Sequence, residues 1–117
     1  MTISEASEQC GLSADTIRYY ERIGLIPHVP RKKNGIRDFD EISLKWLGFV
    51  KCMRNAGVQI EALIEYVTLM RNDDNPQRRK QILIEQREKL VDKMKHLQTT
   101  LDLLDYKIET YAKYKIK

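Results

Sequence analysis

Residues 11–26 read Gly11-Leu12-Ser13-Ala14-Asp15-Thr16-Ile17-Arg18-Tyr19-Tyr20-Glu21-Arg22-Ile23-Gly24-Leu25-Ile26. Gly11 supplies a helix stop, Ser13 is placed to cap a helix over about Ala14 to Ile23, and Gly24 ends it. Along that helix Ile17 and Tyr20, joined at its end by Ile23 and Leu25, are spaced to pack inward. Asp15, Arg18, Tyr19 and Arg22, spaced i, i+3, i+4, i+7, form one outward face. Two arginines and a tyrosine on an exposed helix face suit contact with phosphates and base edges.

Upstream, Thr2-Ile3-Ser4-Glu5 fits a capping box, in which hydroxyl and carboxylate satisfy each other's free backbone amides. A first helix over about Ile3 to Cys10 follows, with Ile3, Ala6 and Cys10 toward a core. Helix, short glycine-containing turn and helix make a helix-turn-helix signature. Downstream, Pro27 and Pro30 exclude further helix, and the pattern becomes a short arm, a basic tip Arg31-Lys32-Lys33, a turn at Asn34-Gly35 and a return arm Ile36-Arg37-Asp38-Phe39. Asn-Gly between two arms predicts a hairpin, hence a two-stranded basic wing beside the helix-turn-helix.

Asp40 is placed to cap a third helix whose apolar positions Ile42, Trp46, Phe49 and Met53 hold one face until Gly57. A fourth helix carries Ile60, Leu63, Ile64 and Val67 at the same kind of spacing. Residues 1–71 are thus expected to form one small domain, and residues 72–76, with Asn72-Asp73-Asp74-Asn75 and then Pro76, a linker.

From Gln77 to Tyr114 there is no glycine or proline. Leu83, Leu90, Leu97, Leu104 and Tyr111 recur every seven residues, and Met94, Leu101 and Ile108 fall four after members of that series. These are the d and a positions of a coiled coil over residues 77–117, weakened at its start by Lys80 and Arg87 at a positions. Leu83 to Tyr111 spans about 42 Å of helix. A helix of that length cannot bury its stripe alone; homodimerisation is the economical solution, and packing against another protein the alternative. The expected class is therefore mainly all-α, a winged helix-turn-helix with a two-stranded wing followed by a long coiled-coil dimerisation helix.

Length and charge agree. The chain has 117 residues and a formal net charge of +4, enough for one small domain plus a long helix and too little for a large two-domain enzyme. Residues 16–37 hold six of the basic residues against Glu21 alone, a local +5 that points to a polyanion, with a solvated basic surface as the alternative. The N-terminus has no basic-then-apolar pattern and no apolar run approaches the ~20 residues of a membrane span, so an intracellular, cytoplasmic protein with no membrane partner is expected. Two cysteines 42 positions apart make no CxxC motif and read as reduced thiols. There is no nucleophile–base pair, phosphate loop or metal set at characteristic spacing, so neither enzymatic activity nor a cofactor is expected.

Thr16 to Ile26, the wing Asn34-Gly35-Ile36-Arg37-Asp38-Phe39 and the order of elements around them resemble the MerR family of bacterial transcriptional regulators over essentially the whole chain. The resemblance implies an antiparallel coiled-coil homodimer whose recognition helices enter successive major grooves of double-stranded promoter DNA with the wings on the flanking backbone. It also implies activation by bending and untwisting a long promoter spacer for RNA polymerase. Carried over by position, Arg18 and Tyr19 contact bases or phosphates, Tyr20 combines packing with backbone contact, Arg37 is the wing contact and Arg54 reaches a phosphate. Ser13, Thr16, Arg22 and Lys33 complete the expected DNA-binding set. The wing departs from the usual Gly-Tyr-Arg-x-Tyr in reading Gly-Ile-Arg-Asp-Phe, and the fourth helix has Gln59 where Ser or Thr usually caps. A two-fold dimer should read a pseudo-palindrome, one half-site per subunit.

The signal is read from what surrounds the cysteines. The chain stops at Lys117, shortly after the heptads, where a multidrug-type ligand domain would begin, and has no cysteine beyond Cys52; His96 alone would underligand a soft metal. His28 and His96 read as surface histidines. Cys10 falls in the apolar series of the first helix and reads as a buried packing residue. Cys52 lies one position off the third-helix stripe beside Lys51 and Arg54, cations that favour the nucleophilic thiolate; a buried packing thiol is the alternative. Phe49-Val50-Lys51-Cys52-Met53-Arg54-Asn55-Ala56-Gly57 resembles the branch of the family that answers aldehydes and other electrophilic or nitrosative stress through one cysteine, which implies Cys52 as the sensor. A non-covalent ligand at the dimer interface, or a coiled-coil partner protein that merely decorates DNA, are the other readings.

Overall fold

The computed structural model describes residues 1–114. Five helices follow in order: α1 Ile3–Cys10, α2 Ala14–Arg22, α3 Glu41–Asn55, α4 Ile60–Arg71 and α5 Pro76–Tyr114. Local chemistry sets the first boundaries. Thr2 and Glu5 close the expected capping box, the Glu5 amide donating to Thr2 Oγ1 at 3.1 Å and the Thr2 amide to Glu5 Oε1 at 3.0 Å. Gly11 turns the chain at φ 69°, a left-handed conformation that favours glycine. Ser13 caps α2 by accepting from the Thr16 amide at 3.1 Å, and Asp40 caps α3 by accepting from the Ser43 amide at 2.8 Å. Gln59 provides no side-chain cap for α4.

Contacts gather into two compact units, Met1–Leu83 and Ile84 onward. In the first, α1 packs on α2 and α3 around Ala6, Ile17, Leu25, Ile26, Phe39, Leu47, Val50 and Leu63. The unit runs past the expected linker at 72–76 because the start of α5 is tied to α4. Arg78 forks onto Glu65 through two 2.9 Å bonds, and Ile82 is buried. Asp73 and Asn75 adopt left-handed φ of 47° and 43°, which Asx residues tolerate, and Asn75 Oδ1 accepts from the Arg78 amide at 3.0 Å as α5 begins. The second unit is, among the described residues, the remainder of α5.

The apolar stripe of α3 is only partly buried: Ser43, Leu47 and Val50 are the buried positions of the helix, Trp46, Phe49 and Met53 pack half-buried against the core, and Ile42 is 66% exposed. The rings of Trp46 and Phe49 also meet Tyr66 of α4, with centroids 6.2 and 6.4 Å from it. The expected two-stranded wing is reduced to one antiparallel bridge, Arg31 with Arg37. Its turn is centred on Lys33-Asn34 rather than Asn34-Gly35. The Gly35 amide donates to Lys32 O at 2.9 Å and the Lys32 amide to Ile36 O at 2.8 Å, with Gly35 at φ 84°. That is the three-residue loop whose last residue must be left-handed.

Candidate nucleic-acid interface

The outward face of α2 is as its spacing requires: Asp15, Arg18, Tyr19 and Arg22 are exposed, while Ile17 is fully buried and Tyr20 and Ile23 pack half-buried on the core. Arg18 Nη1 pairs with Asp15 Oδ1 at 2.9 Å, an exposed pair worth only about 0.2–1 kcal/mol and easily exchanged for a phosphate. The Arg22 guanidinium lies 5.3 Å above the Tyr19 ring, holding both side chains on one surface. At the N-terminus of α2, Ser13 and Thr16 bond to each other, hydroxyl to hydroxyl, at 2.8 Å.

The wing meets this helix at Glu21, a residue the sequence reading left out of the site. Its side chain is buried, and its carboxylate accepts from the Val29 amide at 2.7 Å and from Arg37 Nε at 2.7 Å, with Arg31 Nη2 at 3.7 Å. Burial by itself would push this carboxyl up, but the Val29 amide and the two guanidiniums outweigh it and hold the group below its ordinary value. Arg31 also donates to Gly35 O at 2.9 Å, bracing the turn. At the wing's base the N-terminal amine bonds Asp38 at 2.7 Å and holds that exposed carboxyl below its usual range.

Arg18, Arg22, Arg31 and Arg37 line one groove of about 620 Å³ with Glu21, His28 and Val29. Sequence reasoning placed Arg18, Arg22 and Arg37 in the site and passed over Arg31 and His28, which sat in the basic run without a partner to mark them. The other expected residues lie outside the groove's lining: Ser13, Thr16, Tyr19 and Tyr20 elsewhere on α2 and its cap, and Lys33 and Arg54 away from that helix. Lys33 is exposed on the wing's turn, and Arg54, half-buried, donates to Val58 O at 2.7 Å across the α3–α4 turn.

The two thiols differ from their expected surroundings. Cys52 is exposed on α3, but Lys51 Nζ donates to Cys10 O at 2.7 Å and Arg54 to Val58, so both neighbouring cations are engaged elsewhere. Cys10 is half-buried, and desolvation raises its thiol despite the nearby Lys51 charge. Among the described residues no group of three or more His, Cys, Asp or Glu is placed to hold a metal, and no helix is long and apolar enough to cross a membrane. Along α5, Leu83, Met94, Leu97, Leu101, Leu104, Ile108 and Tyr111 are exposed and Leu90 half-buried.

The family model for MerR family regulatory proteins matches residues 2–39, which hold α1, α2 and the wing. The transcriptional regulator AdhR of Bacillus subtilis (strain 168) is 55% identical over 93 residues, a match covering 79% of this chain and 66% of AdhR. A MerR family regulator from Listeria monocytogenes superposes with a TM-score of 0.93 at 47% identity, covering 96% of this chain and 86% of that one. The chain belongs to the MerR family. HiNmlR, a MerR family regulator lacking the sensor domain and solved bound to promoter DNA, superposes with a TM-score of 0.84 at 30% identity over 97% of this chain and 91% of its own. The protein is thus a DNA-binding transcriptional regulator, of a family that is not enzymatic, and its fold is a MerR-type helix-turn-helix followed by a long C-terminal helix.

Proposed function

We propose that the protein binds a pseudo-palindromic promoter as a homodimer and activates transcription by distorting the spacer DNA for RNA polymerase, in the cytoplasm, in response to electrophile or aldehyde modification of Cys52. Residues 1–71 act as the DNA-binding part and residues 77–117 as the dimerisation helix. The observation that carries the DNA reading is the single groove into which α2 and the wing direct four arginines. Ser13, Thr16, Arg18, Tyr19 and Arg22 take the major groove, Tyr20 combines packing with backbone contact, and Lys33, Arg37 and Arg54 take the backbone. For Arg54 that role requires exchanging or sharing its bond to Val58.

A paired helix supports the rest. The exposed seam of α5 leaves large side chains such as Leu97, 67% exposed, in water, which favours a coiled coil with a second copy, antiparallel if it follows the family resemblance. Distorting the spacer costs on the order of 1–6 kcal/mol, so the signal must supply a difference of that size between two dimer states. Exposure of Cys52 leaves its sulfur open to small electrophiles, and the relation to AdhR fits the electrophile-responsive branch that residues 49–57 resemble. The test is inducer-dependent transcription from the regulated promoter across aldehydes, nitrosating agents and thiol-reactive metals, wild type against Cys52→Ser. The response is expected to vanish while operator binding stays; an unchanged response contradicts the sensor role.

A non-covalent effector is the second reading, favoured by a pocket of about 260 Å³ between Ile42, Lys45, Trp46, Phe49 and Tyr66. A ligand-dependent melting shift that survives Cys52→Ser would establish it.

A further inference from the structure

We propose that Glu21 is a positioning residue for DNA binding: its buried carboxylate clamps the wing to α2, so that arginines from both elements face one duplex at a fixed separation. The inference rests on reading the arginine-lined groove as the DNA face.

Three observations lead to it. The wing has little stiffness of its own, with one bridge where a self-supporting hairpin would have a ladder. Glu21 ties together three separate pieces of chain: α2, which carries it; Val29 on the segment leaving α2; and Arg31 and Arg37 on the two arms of the wing. Finally, Glu21 lines the groove at only 6% exposure, and its charge is met by the guanidiniums of Arg37 and Arg31. Its bond takes the Nε–H of Arg37, which fixes the plane of the guanidinium and leaves the terminal nitrogens of that fork for a phosphate.

Charge and geometry predict opposite signs here. If Glu21 acted only by its charge, removing it would tighten binding to a polyanion and steepen the salt dependence. As a clamp, its removal weakens binding, because Arg37 loses its orientation.

The experiment measures affinity of the full chain for operator and random duplex over a range of salt, in wild type, Glu21→Gln, Arg37→Ala, the double variant and Arg18→Ala. Glu21→Gln keeps an oxygen for the Val29 amide while removing the charge that holds Arg37. It is expected to weaken operator binding about tenfold, Arg37→Ala by a similar factor, and the pair by no more than Arg37→Ala alone. The slope of log affinity on log salt should fall by about one in each. Unchanged or tighter binding by Glu21→Gln, or losses that multiply in the double variant, overturns the proposal. Should Glu21→Gln fail to fold, Arg37→Lys on the exposed side of the clamp decides instead. Reduced operator binding with charge conserved supports orientation, and wild-type binding overturns it. Arg18→Ala keeps the two levels apart: if it leaves operator binding unchanged, the groove is not the DNA face and both readings fall.

Discussion

Arg18, Tyr19 and Arg22 share a face because 3.6-residue periodicity puts them there, and that much is legible in any helix whose boundaries are marked by Ser13 and Gly24. Arg18→Ala is expected to weaken operator binding and relax sequence preference, whereas Lys33→Ala on the wing's turn mainly lowers affinity and salt dependence; equal losses on operator and random DNA for Arg18→Ala would contradict base reading. The Glu21 network was not legible in the same way. Its bond to Arg37 spans sixteen positions across a proline-containing loop, and no local period relates the two residues. The network also has a pH signature. Because the Glu21 carboxyl is held below its ordinary value, its contribution to stability is complete above the usual Glu range, about 4.3, and is lost as pH falls through the lower folded value. Glu21→Gln should therefore flatten the acid limb of a stability–pH curve while leaving its shape near neutrality unchanged, which denaturant melts at successive pH values measure.

At the scale of elements, caps and glycines marked helix ends, while the apolar spacing of α3 did not single out its buried positions. Counting large apolar residues picks Ile42, Trp46, Phe49 and Met53, while the buried positions are Ser43, Leu47 and Val50. Only tertiary packing distinguishes these adjacent faces, since both have helical spacing. Leu47→Ala should cost about 2–5 kcal/mol by leaving a cavity in the core. Ile42→Ala, at an exposed position, should stay within about 0.5 kcal/mol. Chemical denaturation of the two variants checks the assignment, and equal losses would restore the apolar-count reading. In the wing, Asn34-Gly35 announced a turn but not its register. Gly35 holds a left-handed φ that an L side chain adopts only with strain, so Gly35→Ala should destabilise the turn by about 1 kcal/mol and loosen the wing. Hydrogen exchange at the Lys32 and Gly35 amides reads that directly.

For the whole molecule, the heptads of α5 were readable because an apolar seven-residue repeat without glycine or proline has few other meanings. What covers the seam is a property of the assembly and is written nowhere in one chain's contacts. With a homodimer as proposed, Leu101→Glu places a charge in the middle of the seam and should convert the protein to monomer and lower operator affinity at least about tenfold, since a single half-site contact remains. Sedimentation with operator titration checks both. Dyad-symmetric reading of a promoter is the claim on which dimer, recognition helix and wing converge, and a hydroxyl-radical footprint on the promoter tests it most directly. Two protected blocks related by a two-fold axis, with centres about 10 base pairs or a multiple apart, are expected, with the protection lost in Arg18→Ala. Weak, uniform protection that is the same on random DNA would contradict it.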